Sequence, residues 1–82
     1  MDYCVRLFGP LAQTALCERV TLNLDTPAPT VADLRAQLGA VVPALAPLLG
    51  TCRFAVNHAC VPESQSLHGQ DEIALIGLVS GG

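Results

Sequence analysis

Lysine and tryptophan are both missing from this 82-residue chain, and its basic side chains are four scattered arginines. Charged residues make up 13% of it, about half the usual fraction, and the formal net charge is −3. Binding to a polyanion needs clustered cations, so this composition excludes a nucleic-acid partner. The lack of lysine also excludes chains of this protein linked through its own lysine side chains. The longest uncharged run, residues 36–52, is 17 residues long and contains Pro43 and Pro47. It is too short and too broken to cross a bilayer. No basic leader precedes the first apolar run, which contains Arg6, so no secretory signal is read and a cytoplasmic location is expected. Cys4, Cys17, Cys52 and Cys60 stand 13, 35 and 8 residues apart, which fits no C-x-x-C and no zinc spacing. Three of them sit in apolar surroundings and are expected to be structural thiols. No metal site is predicted.

What the chain does contain is apolar residues, at 51%. With the seven glycines the fraction reaches about 60%, against roughly 45–50% for an average soluble domain. That rules out disorder for the body of the chain. A domain this small has little interior, so part of the excess is expected on a surface that a partner covers.

The order of elements follows from periodicity. Tyr3, Val5 and Leu7 alternate with Cys4, Arg6 and Phe8, which predicts a strand stopped by Gly9-Pro10. Residues 10–17 suit a short helix with Pro10 in its first turn. Val20, Leu22 and Leu24 alternate with Arg19, Thr21 and Asn23, giving a second strand antiparallel to the first. The two prolines between Asp25 and Pro29 make a loop. Thr30 then reads as an N-cap whose hydroxyl accepts a first-turn N–H, with Asp33 at the positive end. Val31, Leu34 and Leu38 form the buried stripe, while Asp33, Arg35 and Gln37 point away, and Gly39 is expected to end this first part of the helix. After Pro43 and Pro47, an irregular stretch tucks Leu45, Leu48 and Leu49 under the sheet. Residues 53–57 form a third strand, Asn57-His58 a turn in left-handed geometry, and residues 59–61 a short fourth strand. Residues 73–79 are apolar on both faces, which suits a central strand with a partner or a layer on each side. The fold class is therefore α+β, a mixed five-stranded sheet with a long helix across one face. Residues 1–79 form the domain and 80–82 a flexible tail.

The tail carries the chemistry. Gly81 and Gly82 have no Cβ, so they can thread a channel that any side chain would block. A terminal carboxylate becomes an electrophile once activated, for example as an acyl adenylate. Extended, Val79 to Gly82 reaches at most about 13 Å, enough to enter a neighbouring protein's pocket. On the dipeptide alone, a terminus without chemistry is the competing reading.

Several short stretches then carry a resemblance. Val5-Arg6-Leu7-Phe8-Gly9 with Leu11-Ala12, Thr30-Val31-Ala32-Asp33-Leu34, Phe54-Ala55-Val56-Asn57, Asp71-Glu72-Ile73-Ala74 and Val79-Ser80-Gly81-Gly82 occur in order along the chain. Together they resemble the small, sulfur-carrying subunit of molybdopterin synthase, within the ubiquitin-like β-grasp superfamily, over essentially the whole chain. Two positions depart from that pattern: Gly77-Leu78 stand where many relatives have Pro-Pro, and Gln70 stands where a glycine usually precedes D-E.

The resemblance implies a carrier cycle. An activating enzyme adenylates the Gly82 carboxylate with ATP, a sulfur donor converts it to a thiocarboxylate, and the tail delivers sulfur to cyclic pyranopterin monophosphate in the large subunit. The catalytic side chains then belong to the large subunit of a heterotetramer, and this chain binds no cofactor of its own. Val79, Ser80 and Gly81 enter the partner, and Phe8, Cys60 and Leu75 correspond to apolar partner-facing positions. For those three, burial in the core is the competing reading. A thiamin-pathway carrier is the runner-up, since Asn57 and Val61-Pro62 fit its N-x-x-x-V-P, although such carriers lack an insert matching residues 9–17. A ubiquitin-like interaction module without tail chemistry and a protein-conjugating modifier are also compatible with these residues. His58 and His68 read as exposed turn histidines, and Arg6, Arg19, Arg35 and Arg53 as solvated or ion-paired. Asp71 and Glu72, as neighbours in a strand, point to opposite faces and are not an acid–base pair.

Overall fold

The computed structural model describes residues 1–77. Along the chain they form β1 (Asp2–Leu7), α1 (Gly9–Ala15), β2 (Arg19–Asn23), α2 (Val31–Val41), a 3₁₀ segment (Pro43–Thr51), β3 (Cys52–Val56), β4 (Ala59–Cys60) and β5 (Ile73–Gly77). The five strands make one sheet in the order β2-β1-β5-β3-β4. β5 is central, parallel to β1 and antiparallel to β3. The mixed α+β architecture read from the pattern is the one observed.

Pleating sorts the side chains. The odd residues Tyr3, Val5 and Leu7 of β1 and the even residues Val20 and Leu22 of β2 are buried, while their neighbours face solvent. Val31, Leu34 and Leu38 of α2 cover them from one side, joined by Leu45 and Leu49 of the 3₁₀ segment and by Phe54, Ile73 and Leu75. No polar or charged residue among those described is buried. The core is therefore purely apolar, and among the described residues no layer covers the second face of the sheet.

Several local expectations change. Gly39 does not end α2, which runs on to Val41 just before Pro43. A Cβ at Gly39 would lie 3.3 Å from Leu49 Cδ1, so the glycine lets the 3₁₀ segment pack close to the helix. α1 stops at Ala15, because Leu16 adopts left-handed geometry at φ 61° and is 90% exposed. Thr30 caps α2 as read, in a capping box in which its side chain faces the Asp33 N–H and the Asp33 carboxylate reaches back. The Thr30 N–H and hydroxyl both donate to Asp33 Oδ2, at 2.9 and 3.2 Å. The amides of Val31 and Ala32 donate to the carbonyls of Gln65 and Glu63. Asn57 and His58 do turn in left-handed geometry, at φ 53° and 71°. Asp71 and Glu72 precede β5 rather than opening it, and Asn57 binds both: its Nδ2 donates to Asp71 Oδ1 at 3.0 Å, and its Oδ1 accepts the Glu72 N–H at 3.0 Å.

Arg35 does not simply point away into solvent. Its Nε and Nη2 donate to the two carboxylate oxygens of Glu63, each at 2.9 Å. Nη2 also donates to the Cys52 carbonyl at 3.1 Å, Nη1 donates to the Leu49 carbonyl, and the guanidinium lies 5.3 Å from the Phe54 ring centroid. One side chain thus ties α2 to the end of the 3₁₀ segment, the start of β3 and the 63–65 loop. Bidentate carboxylate pairing with two further carbonyl contacts is a geometry that only a guanidinium supplies.

Arg35→Ala should lower unfolding free energy by about 2–3 kcal/mol, the scale of hydrogen bonds to a charged donor. Glu63→Gln, which leaves the two carbonyl bonds in place, should cost under about 1 kcal/mol. Urea melts of the two variants check the order; equal losses would show that the carbonyl contacts contribute nothing.

Candidate functional site

The residues that lead toward the tail are set by β5. Its last residue, Gly77, pairs with Cys52 of β3, and Leu75 sits between Leu7 of β1 and Phe54 of β3. The Cys52 carbonyl is in turn held by Arg35. The strand from which the tail departs is thus bonded on both sides. Val79, Ser80, Gly81 and Gly82 lie outside the described residues.

The open face of the sheet lies beside this point. β5 alternates, so Ala74 and Ile76 face outward while Ile73 and Leu75 face the helices. Leu75 is 0% exposed and belongs to the core, which corrects its expected place on a partner-facing surface. The outward apolar residue is its neighbour Ile76, 39% exposed. A one-residue offset in a strand moves a side chain to the opposite face. Ile76 is what the sequence reading missed, and the signal was the alternation of β5 itself. Phe8 is 51% exposed and Cys60 is exposed, so both stand where an incoming partner can reach them. Cys60 lies opposite Ala55, which with Arg53 makes up the outward side of β3.

Between these residues is a shallow concavity of about 310 Å³. Ala55, Ala74 and Ile76 line it together with Arg6, Phe8, His58 and Glu72. The Arg6 guanidinium lies 5.5 Å from the Phe8 ring centroid, and His58 Nε2 approaches Glu72 Oε2 to 3.0 Å. A second, more apolar groove of about 510 Å³ adjoins it where β5 ends, between Phe8, Pro10, Leu11, Leu48, Ile76 and Gly77. Small residues at the floor and larger ones at the rim suit a protruding apolar side chain. Among the described residues, no three His, Cys, Asp or Glu gather as a metal site, and no helix is long and apolar enough to cross a membrane.

The cysteines divide differently from expectation. Only Cys52 is buried; Cys17 is half-buried, and Cys4 and Cys60 are exposed on outward strand positions. Burial pushes the Cys52 thiol above its usual value of 9.0, against the lowering pull of Arg35 and a hydrogen bond from Thr51. Its Sγ donates to the Leu48 carbonyl at 3.2 Å, an interaction that needs the protonated form.

A small sheet with its last strand in the centre, one helical layer and one bare face is the ubiquitin-like β-grasp architecture. Within it, residues 5–82 match the model of the ThiS family, and the chain belongs to that family of ubiquitin-like sulfur carriers. Among solved structures it is similar to small archaeal modifier protein 1 of Haloferax volcanii, at 26% identity over 100% of both chains with a TM-score of 0.85. It is also similar to a chain in the complex of subunits 1 and 2 of molybdopterin-converting factor from Helicobacter pylori, at 29% identity over 100% of both chains with a TM-score of 0.70. The solution structure of the Methanosarcina acetivorans small archaeal modifier protein 1 shares the fold, at 22% identity, 99% and 96% coverage, and a TM-score of 0.81. No curated protein sequence matches the chain.

Two outcomes test the site. Leu75→Ala should cost about 2–5 kcal/mol of stability, whereas Ile76→Ser should change it by under about 1 kcal/mol. Equal costs in chemical melts would place Ile76 in the core too. The raised Cys52 value adds stability that is intact below 9.0 and is lost as pH rises through the folded value. The urea midpoint should therefore fall more steeply between about pH 8 and pH 10 in the native protein than in Cys52→Ala.

Proposed function

We propose that this chain is the sulfur-carrying small subunit of molybdopterin synthase. The observation that carries the reading is the bare face around Phe8 and Ile76 beside the end of β5, in a chain similar over its whole length to one found in a subunit 1–subunit 2 complex. The α1 helix, residues 9–15, supports it over the thiamin-pathway reading, since carriers of that kind lack a matching insert.

In this cycle the Gly82 carboxylate attacks the α-phosphorus of ATP on an activating enzyme, and pyrophosphate leaves. A sulfur donor then displaces AMP from the acyl carbon and leaves a thiocarboxylate. The tail, Val79 to Gly82, enters the large subunit, the thiocarboxylate sulfur bonds to a carbon of cyclic pyranopterin monophosphate, and water cleaves the resulting acyl–sulfur bond to regenerate the carboxylate. This chain contributes the terminus and the docking face, with Phe8, Cys60 and Ile76 against the partner, in a cytoplasmic heterotetramer. ATP is consumed on the activating enzyme and none is bound here. Similarity to small archaeal modifier protein 1 supports a second reading, in which the activated terminus is passed to an amine of another protein.

Incubation with a matching activating enzyme, ATP and a sulfur donor should change the intact mass by one oxygen-to-sulfur exchange at Gly82. Deleting Gly82 should abolish that change and leave the circular dichroism spectrum as it was. The charged protein should convert cyclic pyranopterin monophosphate with a molybdopterin-synthase large subunit and should not support a thiazole-forming system. An unchanged mass with competent enzymes present would sink the carrier reading, and amide-linked adducts on other proteins would favour the modifier reading.

A further inference from the structure

The outward face carries an electrostatic pattern that the fold does not explain. Arg6 of β1 lies directly opposite Arg19 of β2. Leu7 N–H donates to the Glu18 carbonyl and Leu24 N–H to the Met1 carbonyl, so the hydrogen-bonded pairs fall on odd residues of β1. Arg6 and Arg19 are therefore a non-hydrogen-bonded pair, the kind in which facing side chains stand closest. Like charges in that position destabilise a sheet. Arg53 faces outward one strand beyond Ile76, its register partner. Three of the chain's four arginines thus surround Phe8, Ile76 and Ala74 on the half of the face nearest the end of β5.

None of the three forms an ion pair among the described residues, where the pairs are Arg35 with Glu63 and His58 with Glu72. Glu18 precedes Arg19 and makes no ion pair with it or with Arg6. Asp2, Asp25 and Asp71 lie toward the other end of the strands, Glu72 lines the concavity with Arg6 but pairs with His58, and Asp33 and Glu63 belong to the helical side. A protein of net charge −3 has therefore gathered three of its cations on one apolar half-face. Arg6 rests on the Phe8 ring, which leaves its N–H edge open to an acceptor.

We propose that this half-face docks a partner protein that presents carboxylates around a projecting apolar side chain, with Arg6, Arg19 and Arg53 pairing to the carboxylates. The proposal deepens the carrier reading and rests on it for the partner, the large subunit. Charge selects this occupant. A second copy would bring cations against cations, and a nucleic acid would meet three arginines on a net anionic protein. The Arg6–Arg19 repulsion is then a stability cost of the free chain that binding relieves, and the arginines act mainly on encounter rate and partner choice.

The test uses the full chain and a molybdopterin-synthase large subunit, with association followed by stopped flow and calorimetry across a salt series. Native affinity should fall as salt rises. Arg19→Glu should weaken binding at least about tenfold at low salt, mostly through the association rate. The same substitution places a carboxylate opposite Arg6 and should raise the melting temperature of the free chain by roughly 4–8 °C, so the lost binding is not misfolding. Native binding that is salt-independent, and unchanged within twofold in Arg19→Glu, would overturn the proposal while leaving the carrier reading intact. No native binding at any salt would overturn both. Tighter binding to an oligonucleotide than to the large subunit, or a dimer of the free chain formed through this face, would overturn the acidic-protein assignment.

Discussion

The end of the sheet where β5 finishes is referred to a single guanidinium. Arg35 reaches from α2 to two backbone carbonyls, one closing the 3₁₀ segment and one opening β3, while Glu63 holds its remaining edge. β3 in turn carries β5, and Gly77 is seated against Cys52, the residue whose carbonyl Arg35 holds. In the stretch from Pro43 to Thr51 the two prolines donate no backbone N–H, and its path is also fixed by this contact and by the buried Leu45 and Leu49. The guanidinium drawn over Phe54 therefore acts at the junction of helix, 3₁₀ segment and sheet.

Much of the architecture was legible in the sequence because alternation is a strong signal. Tyr3-Val5-Leu7 and Val20-Leu22 could only be half-buried strands, and Val31-Leu34-Leu38 only a helical stripe. Asn57-His58 announced its turn through the tolerance of Asn for left-handed geometry. What the sequence hid were contacts between segments distant in the chain. Nothing local to Arg35 points to carbonyls 14 and 17 residues away. Gly39 read as a stop because its close approach to Leu49 is a tertiary fact. Apolar neighbours do not decide the exposure of a strand cysteine, since pleating sends Cys4 and Cys60 outward.

Of the three apolar positions expected on a partner-facing surface, two are exposed and one is not. Phe8 and Cys60 stand on the exposed face, but Leu75 does not, and Ile76 takes its place. A strand that is apolar at every position gives no polar residue to mark its two faces. Only the pairing of Leu75 with Leu7 and Phe54, both buried, decides which way it points. The apolar excess of the composition is resolved in the same way, since Ile73 and Leu75 complete the core while Ile76 stays uncovered.

The parallel pairing of β1 with β5 has a mechanical consequence. Asp2 begins one strand and Gly77 ends the other, at opposite ends of the same ladder. Tension applied between these two points pulls the strands past each other along their length. The hydrogen bonds between them are then loaded together in shear rather than opened one at a time. A machine that grips the tail and draws it into a narrow channel must rupture that ladder, and the β3 ladder on the other side, as units before the domain yields. The central strand of the sheet is thus also the one that best resists being pulled out of it.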